Sequence, residues 1–241
     1  RGDNMISPHG GRLVNQVAEG RARAALKGKA KRLYKIKISR EHAQELDNIA
    51  TGAFSPLEGF LNKRDLKSVL DKKRLASGIV WTIPIALDIP GFIYPEIKRE
   101  KRLSLIDDRG AILAIMDVED VYGYDKKAFA KKVYGTIDSS HPGVASVFKM
   151  GDYLIGGRIT LLDKPHCIFK EYTLTPKQTR EKFSSLGWDN IVAFQTRNVP
   201  HIGHEYVQKT ALSYVDGLFI NPVIGKKKQG DYEDNVIIQT Y

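Results

Sequence analysis

Apolar and polar residues alternate over several short stretches in the first two-thirds of the chain. Residues 34–38 follow the pattern of a half-buried strand, and residues 79–87 predict a longer strand in which Pro84 marks an edge or a bulge. Residues 103–106 and 111–116 flank a short polar turn closed by a glycine, which is typical of a β-hairpin. This part of the chain is therefore predicted to be rich in strands.

Helical periodicity interrupts these strands in three places. Ser39 is a residue type that favours an N-cap, and it precedes a helical run that extends to residue 49. Residues 63–70 and 126–134 also have helical spacing, and a further strand is expected at residues 153–157. The first part of the chain is thus predicted to be an α+β arrangement.

The pattern changes near residue 175. A charged helical segment at residues 176–184 is followed by an apolar strand at 191–194, a polar turn, a helix from about residue 200 to 214, and a second apolar strand at 217–220. A strand, a crossover helix and a strand form a βαβ unit, which predicts a parallel sheet and an α/β segment. Because two parallel strands alone do not make a stable domain, either the rest of this sheet lies outside the 241 residues or the protein completes the sheet in another way.

Composition and charge limit the class of protein to which this chain can belong. Hydrophobic residues make up 42% of the 241 residues and charged residues 27%, which is typical of a globular protein, and no apolar run is long enough to span a membrane. The net charge of +10 favours anionic partners. Cys167 is the single cysteine, which excludes an internal disulfide, fits a cytoplasmic setting and predicts a buried structural thiol.

The polar turn after the apolar strand at residues 191–194 contains the residues that most strongly indicate a functional site. Asn198 suits a helix-capping turn, and Pro200 suits the first helical turn. His201 and His204 are three residues apart, which places them on the same side of that turn. The helix N-terminus favours an anion, and Gly203 lets a ligand approach the backbone closely.

This arrangement of side chains fits adenylyl transfer. In that reaction a nucleophile attacks the α-phosphorus of a nucleotide and pyrophosphate leaves, so catalysis depends on positioning and on stabilising negative charge. His201 and His204 can donate to the phosphates, and Arg197 can bind a tetrahedral oxyanion through its planar fork of donors. Gln195 adds a neutral donor, and an anionic nucleophile needs no acidic general base.

The order of the motifs resembles the ATP sulfurylase (sulfate adenylyltransferase) family. Gln-Thr-Arg-Asn at residues 195–198, followed by His201-Ile-Gly-His204, is similar to the family's central motif. Further similar stretches lie, in the same order as in the family, at residues 8–11, 52–60, 81–85, 133–136, 141–144, 221–225 and 230–231. Several separate matches in one order are more specific than any single motif.

The resemblance implies a fold, an activity and a set of roles. It implies a β-rich PUA-like domain at residues 1–170 and the first, incomplete part of a Rossmann-like nucleotidyltransferase domain at 171–241. It implies that sulfate attacks ATP directly, giving adenosine 5′-phosphosulfate and pyrophosphate, with Mg²⁺ accompanying ATP. No metal bound by protein side chains is evident from the sequence of this segment. The roles it implies are sulfate binding by Gln195 and Arg197, catalysis by Thr196, Arg197 and Asn198, transition-state stabilisation by His201 and His204, and ATP binding by all six.

The chain departs from the family pattern in two ways. Pro200 lies one residue later than the usual proline, and Ile202 stands where many members have arginine, but the spacing of the chemical groups is kept. The family's later motifs, one similar to Ala-Gly-Pro-Arg-Glu-Ala and one to Gly-Arg-Asp-His-Ala-Gly, are absent from the 241 residues. The sequence is therefore expected to be truncated within the catalytic domain.

Two other functions remain open at this point. The helix motif also occurs in other adenylyltransferases, and a basic PUA-like domain can bind RNA. The dense basic residues are Arg21, Arg23 and those within residues 27–32, but no aromatic stripe accompanies them, so nucleic acid is the less favoured partner. Lysines 226–228 are expected to form a solvated face. A homo-oligomer, with a dimer favoured, and no membrane association are expected, while the physiological direction of the reaction stays open.

Overall fold

The computed structural model describes residues 5–225 and 230–241. The described chain divides into two compact units, one formed by Ser7–Lys177 and the other by Gln178–Tyr241 with the N-terminal residues up to Ile6. The lysines at 226–228 lie outside the described residues. Among the described residues, no helix has the length and apolar character needed to cross a membrane.

The first unit is built on one mixed sheet with helices around it. Its strands are β1 (Tyr34–Lys37), β2 (Gly59–Phe60), β3 (Leu87–Ile89), β4 (Arg102–Ile106), β5 (Ile112–Gly123) and β6 (Tyr153–Leu161). Its helices are α1 (Gly20–Ala30), α2 (Arg40–Thr51), α3 (Lys63–Lys72), α4 (Tyr94–Ile97), α5 (Lys126–Tyr134), α6 (Pro142–Lys149) and α7 (Pro176–Leu186), the last of which continues into the second unit. The strand order is β1-β4-β5-β6-β2, and β3 also pairs with β6.

Pairing in this sheet is antiparallel except between β1 and β4, which run parallel. Apolar side chains from β4, β5 and β6, including Leu105, Met116 and Ile155, are fully buried beside Leu46 and Ile49 of α2. Helix α2 begins where its N-cap, Ser39, accepts the N–H of His42. These buried faces form the main hydrophobic core, and a smaller cluster of Ala30, Ile115 and Leu162 packs under α1.

Several of the strands and helices predicted from the hydrophobic pattern are confirmed by the structure. The strand predicted at 34–38 is β1, the predicted hairpin is β4 with β5, and the strand predicted at 153–157 extends as β6 to residue 161. The three predicted helices are α2, α3 and α5, and Ser39 is the N-cap as expected.

The long strand predicted at residues 79–87 is wrong. Only its last residue lies in a strand, β3, and the rest is an irregular segment apart from a bridge at Val80. Ile85 and Ala86 are buried, whereas Ile83 is 64% exposed, and the indole of Trp81 donates to the Ile83 carbonyl over 2.6 Å. Ile85 and Ala86 therefore pack on the core from an irregular segment, whereas Val80 and Ile83 are exposed, so the apolar pattern does not reflect a paired strand.

The expected buried environment of Cys167 is also wrong. The thiol is only partly buried, and its Sγ lies 3.4 Å from Oγ1 of Thr173. Cys167 lies in the segment after β6, where Ile168 is 71% exposed. The apolar run around this cysteine therefore contributes little to the core.

The second unit contains most of α7 together with β7 (Ile191–Thr196), α8 (Ile202–Leu212), β8 (Gly217–Pro222) and α9 (Asp234–Gln239). Strands β7 and β8 pair in parallel, so the predicted βαβ unit is confirmed. At the start of the strands, the carboxylate of Asp216 accepts the N–H groups of Asp189 and Asn190. A Cβ at Gly217 would lie 2.1 Å from the Trp188 ring, so only glycine fits where this ring packs against β8.

Glu45 on α2 gives the first unit a testable pH dependence. Burial, together with the Asp88 and Glu41 carboxylates, raises the pKa of Glu45 to about 7, and its Oε2 has no hydrogen-bond partner among the described residues. Between pH ~4.5 and about 7 the folded protein keeps a proton that the unfolded chain releases, so the free energy of unfolding falls as pH rises through this window.

We expect Glu45→Gln to remove this fall. The variant should exceed the parent in free energy of unfolding by about 1–3 kcal/mol at pH 8 and match it near pH 4.5, because the amide carries no charge to bury. Urea unfolding at the two pH values measures the difference. Glu171→Gln, at an exposed position of the same unit, is the matched control and should keep the parent's pH dependence. An unchanged pH dependence in Glu45→Gln would contradict the burial argument.

Candidate functional site

The predicted site residues lie where the two parallel strands end. Because β7 and β8 are parallel, their carboxyl ends share one edge of the sheet, and residues 197–201 leave that edge to enter α8. The segment that follows β8, up to Glu233, starts at the same edge. Ligands of open α/β sheets bind outside the carboxyl ends of the strands, so this edge is the candidate site.

Backbone hydrogen bonds fix the turn that follows β7. Oγ1 of Thr196 accepts the N–H of Asn198 over 3.1 Å, and the Thr196 carbonyl accepts the N–H of Val223 over 2.8 Å. The hydroxyl of Tyr241 lies 3.5 Å from the Asn198 carbonyl and donates to it. Thr196 and Asn198 therefore shape the turn, while the side chain of Asn198 remains exposed at the edge.

His201 is the N-cap of α8, so the predicted start of this helix is wrong. The helix begins at Ile202, and neither Asn198 nor Pro200 forms its cap or first turn. Nδ1 of His201 accepts the N–H of Gly203 over 3.1 Å, which leaves the ring hydrogen on Nε2. A Cβ at Gly203 would lie 3.0 Å from this ring, so glycine also makes room for the cap.

The two predicted histidines stack on each other. The ring centroids of His201 and His204 are 3.8 Å apart with an interplanar angle of 24°, as expected for residues on one side of the first turn. The ring of His204 also meets Phe194 edge-on at 5.5 Å. Nδ1 of His204 is buried without a hydrogen-bond partner among the described residues, so a polar ligand could bind this ring only through Nε2.

Arg197 is exposed at the same edge and pairs with an acidic residue, Asp231, that was not among the predicted site residues. Its Nη2 donates to Oδ2 of Asp231 over 2.8 Å. In the sequence, Gly230-Asp231 stands out only as one of the stretches that resemble the family. Gln195 pairs in register with Asn221 on β8, and its side chain is exposed.

The arrangement favours an anion at the start of α8. In the described part of the chain, the backbone N–H groups of Ile202 and His204 have no acceptor, and the helix dipole is positive at this end. Nε2–H of His201 and the guanidinium of Arg197 add further donors at the same edge. Two phosphate groups and a second oxyanion are the kind of ligand that such a set of donors can bind.

Residues able to hold a metal ion by themselves are not grouped here. Among residues 5–225 and 230–241, no cluster of three or more histidine, cysteine, aspartate or glutamate side chains is arranged to hold a metal ion. Mg²⁺ in nucleotide-dependent sites is commonly held by substrate phosphates with one or two carboxylates. The N–H groups and the guanidinium at this edge are donors that suit phosphate oxygens.

The fold and the site together define a PUA-like domain followed by a nucleotide-binding α/β segment. The family model described as "PUA-like domain" matches residues 6–164, and the one described as "ATP-sulfurylase" matches residues 170–241. The chain belongs to the ATP sulfurylase family.

Curated relatives named sulfate adenylyltransferase align over nearly the whole chain. The chain is 50% identical to those of Pyrococcus abyssi and Thermococcus onnurineus over 98% of its length, and it spans 62% of each of them. The chain therefore covers about six-tenths of the length of these relatives. Among solved structures, a hexameric APS kinase from Thiobacillus denitrificans superposes with a TM-score of 0.73 at 28% identity, covering 94% of this chain and 41% of that one.

Proposed function

We propose that this chain carries the first part of the catalytic site of a sulfate adenylyltransferase. The observation that carries the proposal is the joint placement of Arg197 and the stacked pair His201 and His204 at the carboxyl edge of β7. The names of the relatives support sulfate and ATP as the substrates.

In the proposed reaction a sulfate oxygen attacks the α-phosphorus of ATP. An S–O–P linkage forms, the bond between the α-phosphorus and the bridging oxygen breaks, and pyrophosphate leaves with the electron pair. Sulfate is already an anion at neutral pH, so no side chain has to remove a proton from it. The site therefore has to align the two anions and offset the charge that develops as pyrophosphate leaves.

Each proposed residue has a part in that alignment. Gln195 and Arg197 bind sulfate, and Thr196 and Asn198 hold the turn that presents the arginine beside the phosphates. His201 donates through Nε2 to a phosphate oxygen, and His204 stabilises the transition state through its own Nε2. In the same proposal, residues 195–198 also line the ATP phosphates.

Magnesium belongs to the substrate in this proposal, as Mg²⁺ bound to ATP. The ion would shield the charge on the β- and γ-phosphates.

We also propose that the boundary between the PUA-like domain and the catalytic domain falls between residues 170 and 171, and that the whole protein is a cytoplasmic homo-oligomer. A dimer is the favoured state because it is the commonest closed assembly, and light scattering after size exclusion measures it.

The test of the activity uses an extended protein, in which the C-terminal remainder of the Pyrococcus abyssi relative follows Tyr241, beside the 241-residue chain. We expect the extended protein to release pyrophosphate from ATP only when sulfate is present, because Gln195 and Arg197, the proposed sulfate clamp, must hold sulfate before it can attack the α-phosphorus. Pyrophosphate release is measured with sulfate, with other acceptors and with none. Release that is independent of sulfate, or that needs another acceptor, would assign the site to a different adenylyltransferase.

RNA binding by the first unit is the second candidate function. Arg21, Lys29, Lys31 and Arg32 are exposed on and just after α1, which favours a polyanion. An electrophoretic shift of structured RNA that weakens steeply with salt would support it.

A further inference from the structure

Arg197 has a fixed acidic neighbour at the carboxyl edge of the sheet. Its Nη2 donates to Oδ2 of Asp231 over 2.8 Å. The arginine side chain is 44% exposed, whereas the aspartate side chain is only 19% exposed. Asp231 is therefore the better buried member of the pair, and Arg197 is the member that a ligand can reach.

The chain around Asp231 has one hydrogen bond after it and a glycine in a left-handed conformation before it. The carboxylate of Asp234 accepts the N–H of Gly225 at 3.1 and 3.2 Å, which ties the start of α9 to the chain just after β8. Gly230 has a φ of +90°, a conformation that favours glycine, directly before Asp231. The position of Asp231 thus follows from the backbone as well as from its pairing with Arg197.

This pairing restricts the orientation of the guanidinium and leaves most of its N–H donors available for a ligand. An arginine side chain carries five N–H donors, and the described contact with Asp231 uses Nη2. A long arginine side chain loses rotamer freedom when it binds a ligand, and a contact that already restricts it removes part of that cost. The remaining donors can then meet a second oxyanion in a fixed orientation.

The charge of Asp231 acts in the opposite direction. A carboxylate beside the guanidinium offsets its positive charge and repels a doubly charged anion such as sulfate. If charge dominated, removing the carboxylate would strengthen sulfate binding. If orientation dominates, removing it weakens sulfate binding, so the two effects predict opposite signs.

We propose that Asp231 is a positioning residue for the sulfate clamp and that it acts by orienting the guanidinium of Arg197. This proposal rests on the proposed function, because it takes sulfate as the ligand of Arg197. The 2.8 Å contact and the lower exposure of Asp231, together with the nearby hydrogen bond between Asp234 and Gly225, favour orientation over charge as the dominant effect.

The test compares Asp231→Ala, Asp231→Asn and Asp231→Glu in the extended protein. We expect Asp231→Ala to raise the KM for sulfate by about 3–10-fold, the cost of immobilising one long side chain, and to lower kcat as well. The KM for ATP should change less. Asp231→Glu should recover part of the loss because it keeps a carboxylate, and Asp231→Asn should fall between the parent and the alanine variant.

Asp216→Ala is the matched control. It removes a carboxylate from the same unit, but at the amino ends of the strands, where it accepts the N–H groups of Asp189 and Asn190. We expect it to lower the melting temperature and to leave the KM for sulfate unchanged. The control separates general loss of structure from loss of orientation.

Each outcome decides the proposal. A lower KM for sulfate in Asp231→Ala would overturn it in favour of charge repulsion, and a lower kcat at unchanged KM for sulfate would overturn it in favour of a purely structural role. If the unmutated extended protein has no sulfate-dependent turnover, the proposed function fails and this inference falls with it. If that protein is active and the KM for sulfate does not rise in Asp231→Ala, the inference about Asp231 alone is wrong.

Discussion

Replacing Arg197 by lysine is expected to remove most of the sulfate-dependent activity of the extended protein. Sulfate is a tetrahedral oxyanion that a guanidinium meets with two parallel hydrogen bonds, and lysine keeps the charge but loses this geometry. By analogy with the loss of one preorganised oxyanion donor, the transition state should lose about 2–4 kcal/mol of stabilisation, a fall of roughly 30- to 1000-fold in kcat/KM. Sulfate-dependent pyrophosphate release measures the effect.

The fold should survive this change, because Arg197 is exposed in a turn. Thermal melting of the variant is therefore the structural check. Arg180→Lys is a matched control in the same unit: the Arg180 guanidinium donates to the Ile6 carbonyl over 2.8 Å, and we expect near-parental activity. Near-parental activity in Arg197→Lys would mean that Arg197 acts only as a point charge, and the clamp would have to be abandoned.

The second large effect is expected at the stacked histidines. His204→Ala should lower kcat by about 100- to 1000-fold while changing the KM for ATP little, because the charge that the ring stabilises develops in the transition state. Steady-state kinetics with ATP as the varied substrate measures both constants. Equal losses in kcat and in ATP affinity would instead indicate ground-state binding.

His201 allows its two roles to be separated. His201→Ala removes both the donor and the N-cap of α8, which should cost about 1 kcal/mol of stability in addition to the loss of turnover. Asparagine is a favourable N-cap residue, so His201→Asn should restore the stability without restoring the turnover. If His201→Asn recovered full turnover, the imidazole would be needed only for the cap.

Periodicity predicted the elements whose buried faces follow a regular spacing. This property is shared by helices α2, α3 and α5 and by the β4–β5 hairpin. The apolar strands β7 and β8 were predicted because their neighbours in the sequence are polar. Residues 79–86 were mistaken for a strand because Ile85 and Ala86 are buried without strand pairing. Apolar composition indicates burial, but it cannot distinguish a packed loop from a paired strand.

The candidate site could be predicted from the sequence only in part. The spacing of His201 and His204 predicted that they lie together, and the structure stacks their rings. The identity of the N-cap was missed because histidine is not among the favoured capping residues. Asp231 was missed for a different reason: it lies 34 positions from Arg197, and only the parallel pairing of β7 with β8 brings their loops to one edge.

Strand β6 has a consequence for the synthesis of the protein on the ribosome. It is the last strand of the first unit to be made, yet β2, β3 and β5 all pair with it, and Val17 forms a bridge to Leu161. A nascent chain that stops before residue 153 therefore leaves β2 and β3 without a partner strand, β5 paired only with β4, and Val17 without its bridge. Because contacts distant in sequence must form late, this unit can close only after β6 has left the exit tunnel.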